Sequence, residues 1–170
     1  LGDALQGGLT DAALWSIGGL LVGSLYMSCH MRSGVLVLGG LFGLALSFPL
    51  TWFLYTAVFG LGQMGIFNFM SLFIIVAIGV DDLYVFADAW RQSELRASTL
   101  EGRMDVAYRR AAHAMLITSA TDSVAFFANA ISSVPIIRQF GIFMGILVIV
   151  NYLLVISYFP TLIAIHHRFR

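Results

Sequence analysis

The chain has 170 residues, of which 59% are hydrophobic and 11% charged, with a formal net charge of zero. A soluble domain carries about a quarter charged residues, so burial in a soluble core does not account for this composition. Neutrality leaves no nucleic-acid surface to expect, and all nine basic residues are arginine.

The charges are clumped. No Asp, Glu, Lys or Arg lies between Ala12 and Met27, or between Val35 and Val80. Apolar runs of this length read as membrane spans. The pattern predicts an all-α membrane protein with five spans at about 12–29, 35–59, 66–90, 109–131 and 136–165. Each reaches the length of about 20 helical residues that a bilayer core requires.

Residues 1–11 read as the entry from an extracellular region. Thr10 or Asp11 can cap the first span, and Gly19 and Gly23 form a G-x-x-x-G pair within it. Cys29 at its end is the single cysteine, so no internal disulfide forms; an inert small residue is preferred to a palmitoylation site. The chain begins at Leu1 and lacks a basic leader, so we read it as a piece of a larger protein.

The second span carries Gly39 and Gly43, with Pro49 placed to kink rather than end it. The third contains Gly79 and three acids, Asp81, Asp82 and Asp88. The connection 91–108 mixes Glu94, Glu101 and Asp105 with arginines, and suits either a short surface helix or a solvated loop. The fourth span holds Asp122 among Thr118, Ser119, Thr121 and Ser123. The fifth opens on Pro135, suited to a first helical turn. It carries Gly141 and Gly145, includes Pro160, and leads to the basic tail 166–170. Glycines four apart let helix backbones approach closely in lipid, so packing is their expected role.

The arginines set the orientation. Arg32, the cluster Arg91, Arg96, Arg103, Arg109 and Arg110, and the pair Arg168 and Arg170 fall on one side of a five-span chain; Arg138 alone falls on the other. The arginine-rich side is expected to be cytoplasmic, so 91–108 and the C-terminus face the cytoplasm and residue 1 starts outside. A first span that starts outside implies an earlier span or a translocated domain. The multi-pass chain belongs in the plasma membrane, ciliary membrane included, or an endomembrane.

Asp81 and Asp82 carry the chemistry. They lie about nine residues, or roughly 13 Å of helix, from the boundary near Trp90. Insertion scales charge about 2.5–3.5 kcal/mol for one central Asp, so two in succession must be shielded, protonated or ion-bound. Adjacent side chains point about 100° apart and do not both face one partner helix. A pair poised this way can exchange a proton or trade it for Na⁺, and we prefer this role to that of structural hydrogen-bond donors. Asp88 shares a face with Asp81 and reads either as an inner vestibule or, preferably, as an ordinary helix-end carboxylate. Asp122 comes within about one turn of Asp82 in depth on an antiparallel helix, ringed by neutral oxygens of the kind hard cations favour; coupling and structural roles stay level for it. No metal-spaced Cys/His cluster, phosphate loop or nucleophile–base arrangement is present, so no enzyme activity, cofactor or metal site beyond Na⁺ is expected.

Several motifs resemble the resistance–nodulation–division superfamily, within it the Patched and Dispatched branch that carries the sterol-sensing domain. Gly79-Val-Asp-Asp82 resembles the acidic core of a Patched or Dispatched span, and Phe86-Ala-Asp-Ala-Trp90 its Dispatched continuation. Leu116-Ile-Thr-Ser119, Ala125-Phe-Phe-Ala128 and Ile137-Arg-Gln-Phe-Gly-Ile-Phe143 with Val150-Asn-Tyr152 are similar to Dispatched proteins. The resemblance covers nearly the whole chain. It implies spans two to six of a twelve-span half-transporter architecture and cation-driven export of a lipid, sterol or lipid-modified protein, with Asp81 and Asp82 as the acidic pair. Implied partners are membrane sterol or lipid, bound in a groove, and the remainder of the same transporter or neighbouring membrane subunits. Two departures stand out: the family's G-x-x-x-D-D pattern has glycine where this chain has Ala77, and Asp122 replaces a neutral residue.

Two functions of different class follow, the motor half of a cation-coupled exporter and a sterol-sensing regulatory or structural module without transport. Three buried acids favour the first. The orientation is testable by single cysteines in a background lacking Cys29. A thiol at position 62 should label from outside intact cells, and one at 98 only after permeabilisation. Labelling of both from the same side would refute the topology.

Overall fold

The computed structural model describes Gly18, Val22, residues 34–60 and residues 66–168. Four helices fill the continuous stretches: α1 (Gly34–Phe59), α2 (Ile66–Ser93), α3 (Leu100–Ala128) and α4 (Pro135–Arg168). All four are long and apolar enough to cross a membrane, over Leu36–Val58, Met70–Ser93, Leu100–Ile131 and Pro135–His166. The described spans therefore number four, not five. The expected span at 12–29, with Gly19, Gly23 and Cys29, lies outside the described residues, apart from helical Gly18 and Val22.

Local chemistry fixes the ends. α1 stops at Gly60, whose φ of 61° is left-handed and whose N–H returns to the Thr56 carbonyl at 3.1 Å. Pro49 and Pro160 both lie inside helices. α3 begins nine residues before its expected start, because Thr99 caps it: the Thr99 hydroxyl accepts from the Gly102 N–H at 3.2 Å. Glu101 occupies the first turn, and Asp105 pairs with Arg109 at 2.8 Å one turn on. Most of the mixed-charge connection is thus helix continuous with the next span, leaving a short turn after Ser93. α3 gives way to a 3₁₀ turn over Asn129–Ile131, and Pro135 opens α4.

That turn is clamped. The Arg103 guanidinium lies 4.6 Å over the Trp90 ring and 3.8 Å from Glu94. A cation–π contact and an ion pair from one side chain hold the end of α2 against the start of α3. The antiparallel register of the two helices follows.

α4 is the central element. Half of its span is buried, against 17% for α3, and it packs against each of the other three helices. Small residues permit this. A methyl group added at Gly39 would enter Leu162, and one at Gly43 would press on Tyr158, so α1 lies close on α4. Gly145 accommodates the Phe127 ring, and Gly141 faces the Phe126 carbonyl. On α3 the inward stripe Ala107, Ala111, Met115, Ser119 and Ser123 repeats every fourth residue. Large apolar side chains such as Leu38, Phe53, Val124 and Leu153 point outward, as expected where the solvent is lipid.

The buried side chains form two clusters. One gathers Leu36, Leu44, Leu83, Phe86, Met115, Phe159 and neighbours; the other gathers Tyr55, Ile75, Phe143, Met144, Leu147 and Val148. Along α2 the break falls between Ile75 and Leu83, and along α4 between Val148 and Val155. Asp82 and Asn151 lie at that seam.

At Gly141 an added methyl would stand 2.6 Å from the Phe126 carbonyl oxygen, a backbone atom with no freedom to retreat. Gly141→Ala should therefore cost about 1–3 kcal/mol. Gly18→Ala, where nothing lies within 4 Å, should be neutral or slightly stabilising. Thermal unfolding of the intact protein in detergent compares the two, and equal melting temperatures would contradict the packing assignment.

Candidate functional site

Asp82 is 4% exposed in the middle of an apolar helix. Its carboxylate Oδ2 accepts a hydrogen bond from Asn151 Nδ2 at 2.9 Å, and Asn151 is fully buried. The contact joins α2 to α4 across the seam. Gly79 makes it feasible: it sits almost one turn before Asp82 on the same face, and a methyl there would meet Asn151 Oδ1 at 3.1 Å as well as Leu44. The absent side chain leaves a notch into which the Asn151 amide fits.

Asn151 Oδ1 has no hydrogen-bond partner, and the hydroxyls of Thr51, Ser119 and Ser123 share this condition. Buried polar atoms are nearly always paired, so an oxygen left bare beside a buried carboxylate marks a place where an electropositive atom would be well received. Among the described residues no three His, Cys, Asp or Glu side chains are grouped to hold a metal ion.

The other expected site residues separate. Asp81 is exposed on the outside of the described bundle, so the two successive acids do face different surroundings. Asp122 is half-buried on α3 and acts on Asp82 electrostatically, as Asp81 does. Ser119 and Ser123 point inward. Thr118 and Thr121 do not join them. Both are exposed, and their hydroxyls donate back to their own helix, to the Met115 carbonyl at 3.0 Å and the Thr118 carbonyl at 2.8 Å. Asp88 is also exposed, accepting from Gln92 Nε2 at 2.6 Å on its own helix. Ala77 lies on the exposed side of α2, where an extra methyl disturbs no buried contact.

Sequence reasoning missed Asn151 as a site residue. The signal was present: it is the one amide in the apolar run from Phe140 to Ile165. Tyr152 beside it reaches α3, its hydroxyl 3.4 Å from the Ala112 carbonyl.

A model of the sterol-sensing domain of SREBP cleavage-activation matches residues 31–170, which include all four helices. The chain belongs to the sterol-sensing domain family. This sterol-sensing chain is similar to protein dispatched homolog 1 of Mus musculus, 34% identical over 148 residues, a match covering 85% of the chain and 10% of the relative. It is similar to protein dispatched of Drosophila melanogaster, 31% identical over 185 residues, covering 94% of the chain and 15% of the relative. Protein dispatched homolog 3 of Mus musculus is 38% identical over 124 residues, covering 71% and 9%. The sterol-sensing chain thus spans about a tenth of the length of these curated relatives. The Dispatched resemblance of the motifs is borne out, and the chain is an integral multi-pass membrane protein with a sterol-sensing helical bundle.

Within that bundle the Asp82–Asn151 bond should be measurable as a coupling. Asp82→Leu and Asn151→Leu each strand a polar partner in an apolar seam, whereas the double substitution removes both. A double-mutant cycle by unfolding in detergent should give a coupling of about 1 kcal/mol, in the range of interhelical hydrogen bonds within membranes. Strict additivity would show that the two side chains do not interact.

Proposed function

We propose that this chain is an ion-responsive fragment of a Dispatched-like, cation-coupled transporter that moves or exports a lipid, a sterol or a lipid-modified protein. Asp81 and Asp82 are its intramembrane coupling pair. The observation that carries the proposal is the burial of the Asp82 carboxylate at mid-span with a single amide partner. A fixed structural bond needs no carboxylate, since a second amide or a hydroxyl would bond Asn151 without the expense of a buried charge. An acid retained at a cost of about 2.5–3.5 kcal/mol makes sense where a proton or Na⁺ neutralises it in one state of a cycle.

The different surroundings of the two acids support a division of labour. Asp82 faces α4 within the bundle, and Asp81 faces outward to whatever packs there: the rest of the transporter or a neighbouring subunit. Asp122, within electrostatic range of Asp82, tunes the site from α3. The arginine-rich turn and the C-terminus lie on the cytoplasmic side in this reading. The outward apolar faces of α1, α3 and α4 are available to sterol or lipid.

The name of the matching family model favours a second reading, a sterol-sensing regulatory module without transport. The two readings differ in what the acids are for. In the intact protein, Asn at both 81 and 82 keeps size and hydrogen bonding while removing titratable charge. That double variant should insert at normal abundance and lose gradient-driven export. Asp122→Thr should be milder and shift the ion dependence. Normal export by the double variant would sink the coupling role and leave the regulatory module.

A further inference from the structure

The Asn151 amide makes one of the four hydrogen bonds available to it. Its Nδ2 donates to Asp82, while its Oδ1, fully buried, has no partner. An ionised carboxylate only accepts, so the donor end of the amide must face it. Once the carboxyl carries a proton or a Na⁺ ion, it still accepts from Nδ2 and adds an electropositive atom beside it. The electropositive atom now needs an oxygen, and the bare Oδ1 belongs to the side chain already in contact. A small swing about the Cβ–Cγ bond of Asn151 brings Oδ1 to that atom without moving the backbone. The missing side chain at Gly79 leaves room for this on the Oδ1 side, where a methyl would come to 3.1 Å.

We propose that Asn151 is a positioning residue that reads the charge on Asp82. It donates through Nδ2 when the carboxyl is ionised and also accepts through Oδ1 when a proton or Na⁺ neutralises it. The inference rests on the coupling role given above to Asp82, and adds the element that receives the signal. Asn151 belongs to α4, which touches each of the other three described helices, so the change from a charge-assisted bond to a neutral one alters the hold of α2 on the central helix. Other ionisable groups near the carboxyl are Asp81 on its own helix, Asp122 on α3, and Tyr152 on α4, with Tyr108 of α3 close to Tyr152. α1 meets this spot with Leu44. Among these groups only Asn151 combines a donor and an acceptor on one planar group in contact with Asp82.

Infrared difference spectroscopy tests the added Oδ1 contact directly. The intact protein, with the side-chain amide carbon of asparagine isotopically labelled, is reconstituted in lipid and taken through two steps: acidification without Na⁺, and Na⁺ addition at constant pH. The expected result is a carboxyl band change accompanied by a shift of a labelled amide carbonyl band in at least one step. The step that produces it identifies the ion. The amide shift should vanish in Asp82→Asn and in Asn151→Leu. Gly79→Ala, which narrows the notch, should diminish the amide shift while leaving the carboxyl change. A carboxyl change with no amide shift, or an amide shift that persists in Asp82→Asn, would overturn the reader role and leave the coupling proposal standing. A carboxyl silent in both steps would overturn the two together. Because the wild type and Asp82→Asn decide these outcomes, the test holds even if Asn151→Leu fails to fold.

Discussion

One hydrogen bond organises this bundle: Asn151 of α4 to the buried carboxylate of Asp82 on α2. It is an interaction between unequal groups. The amide is neutral and makes little demand on its surroundings. The carboxylate, 4% exposed, has exchanged the whole of its hydration for one donor from a neighbouring helix. In hydrocarbon that exchange leaves the charged form under-compensated.

Other features of the fold arrange themselves around that requirement. Gly79 gives the amide its approach, and Leu44 closes the notch from α1. The apolar clusters divide at the seam, so aliphatic and aromatic packing above and below holds α2 and α4 in register while the polar pair occupies the gap. The Arg103 clamp on Trp90 and Glu94 fixes α3 against α2, bringing Asp122 within electrostatic reach.

The sequence made the spans legible because the bilayer demands long apolar runs, and the four described helices lie close to their expected positions. The start of α3 was not legible. Charge density argued for a connection, whereas the Thr99 cap and the Asp105–Arg109 pair carry the helix through it. At the site, the acid pair stood out because its cost is visible in one dimension, and the 100° step correctly separated Asp81 from Asp82. The hydroxyl-rich run on α3 was harder to read. Helical periodicity divides it, turning Ser119 and Ser123 inward and Thr118 and Thr121 outward, and nothing in the run alone says which face meets the bundle. Asn151 was hidden for a related reason. A lone amide 69 residues from its partner acquires meaning only when the parallel register of α2 and α4 is known.

In the proposed function the ion-responsive charge is that of Asp82, the acid that faces into the bundle. The most direct test is the Na⁺ or proton flux that accompanies export, measured in proteoliposomes containing the intact protein with Asp82→Asn as the only change. The account predicts that this flux is lost while protein insertion and the unfolding temperature stay near those of the wild type. Undiminished, cargo-coupled ion flux in that variant would contradict it.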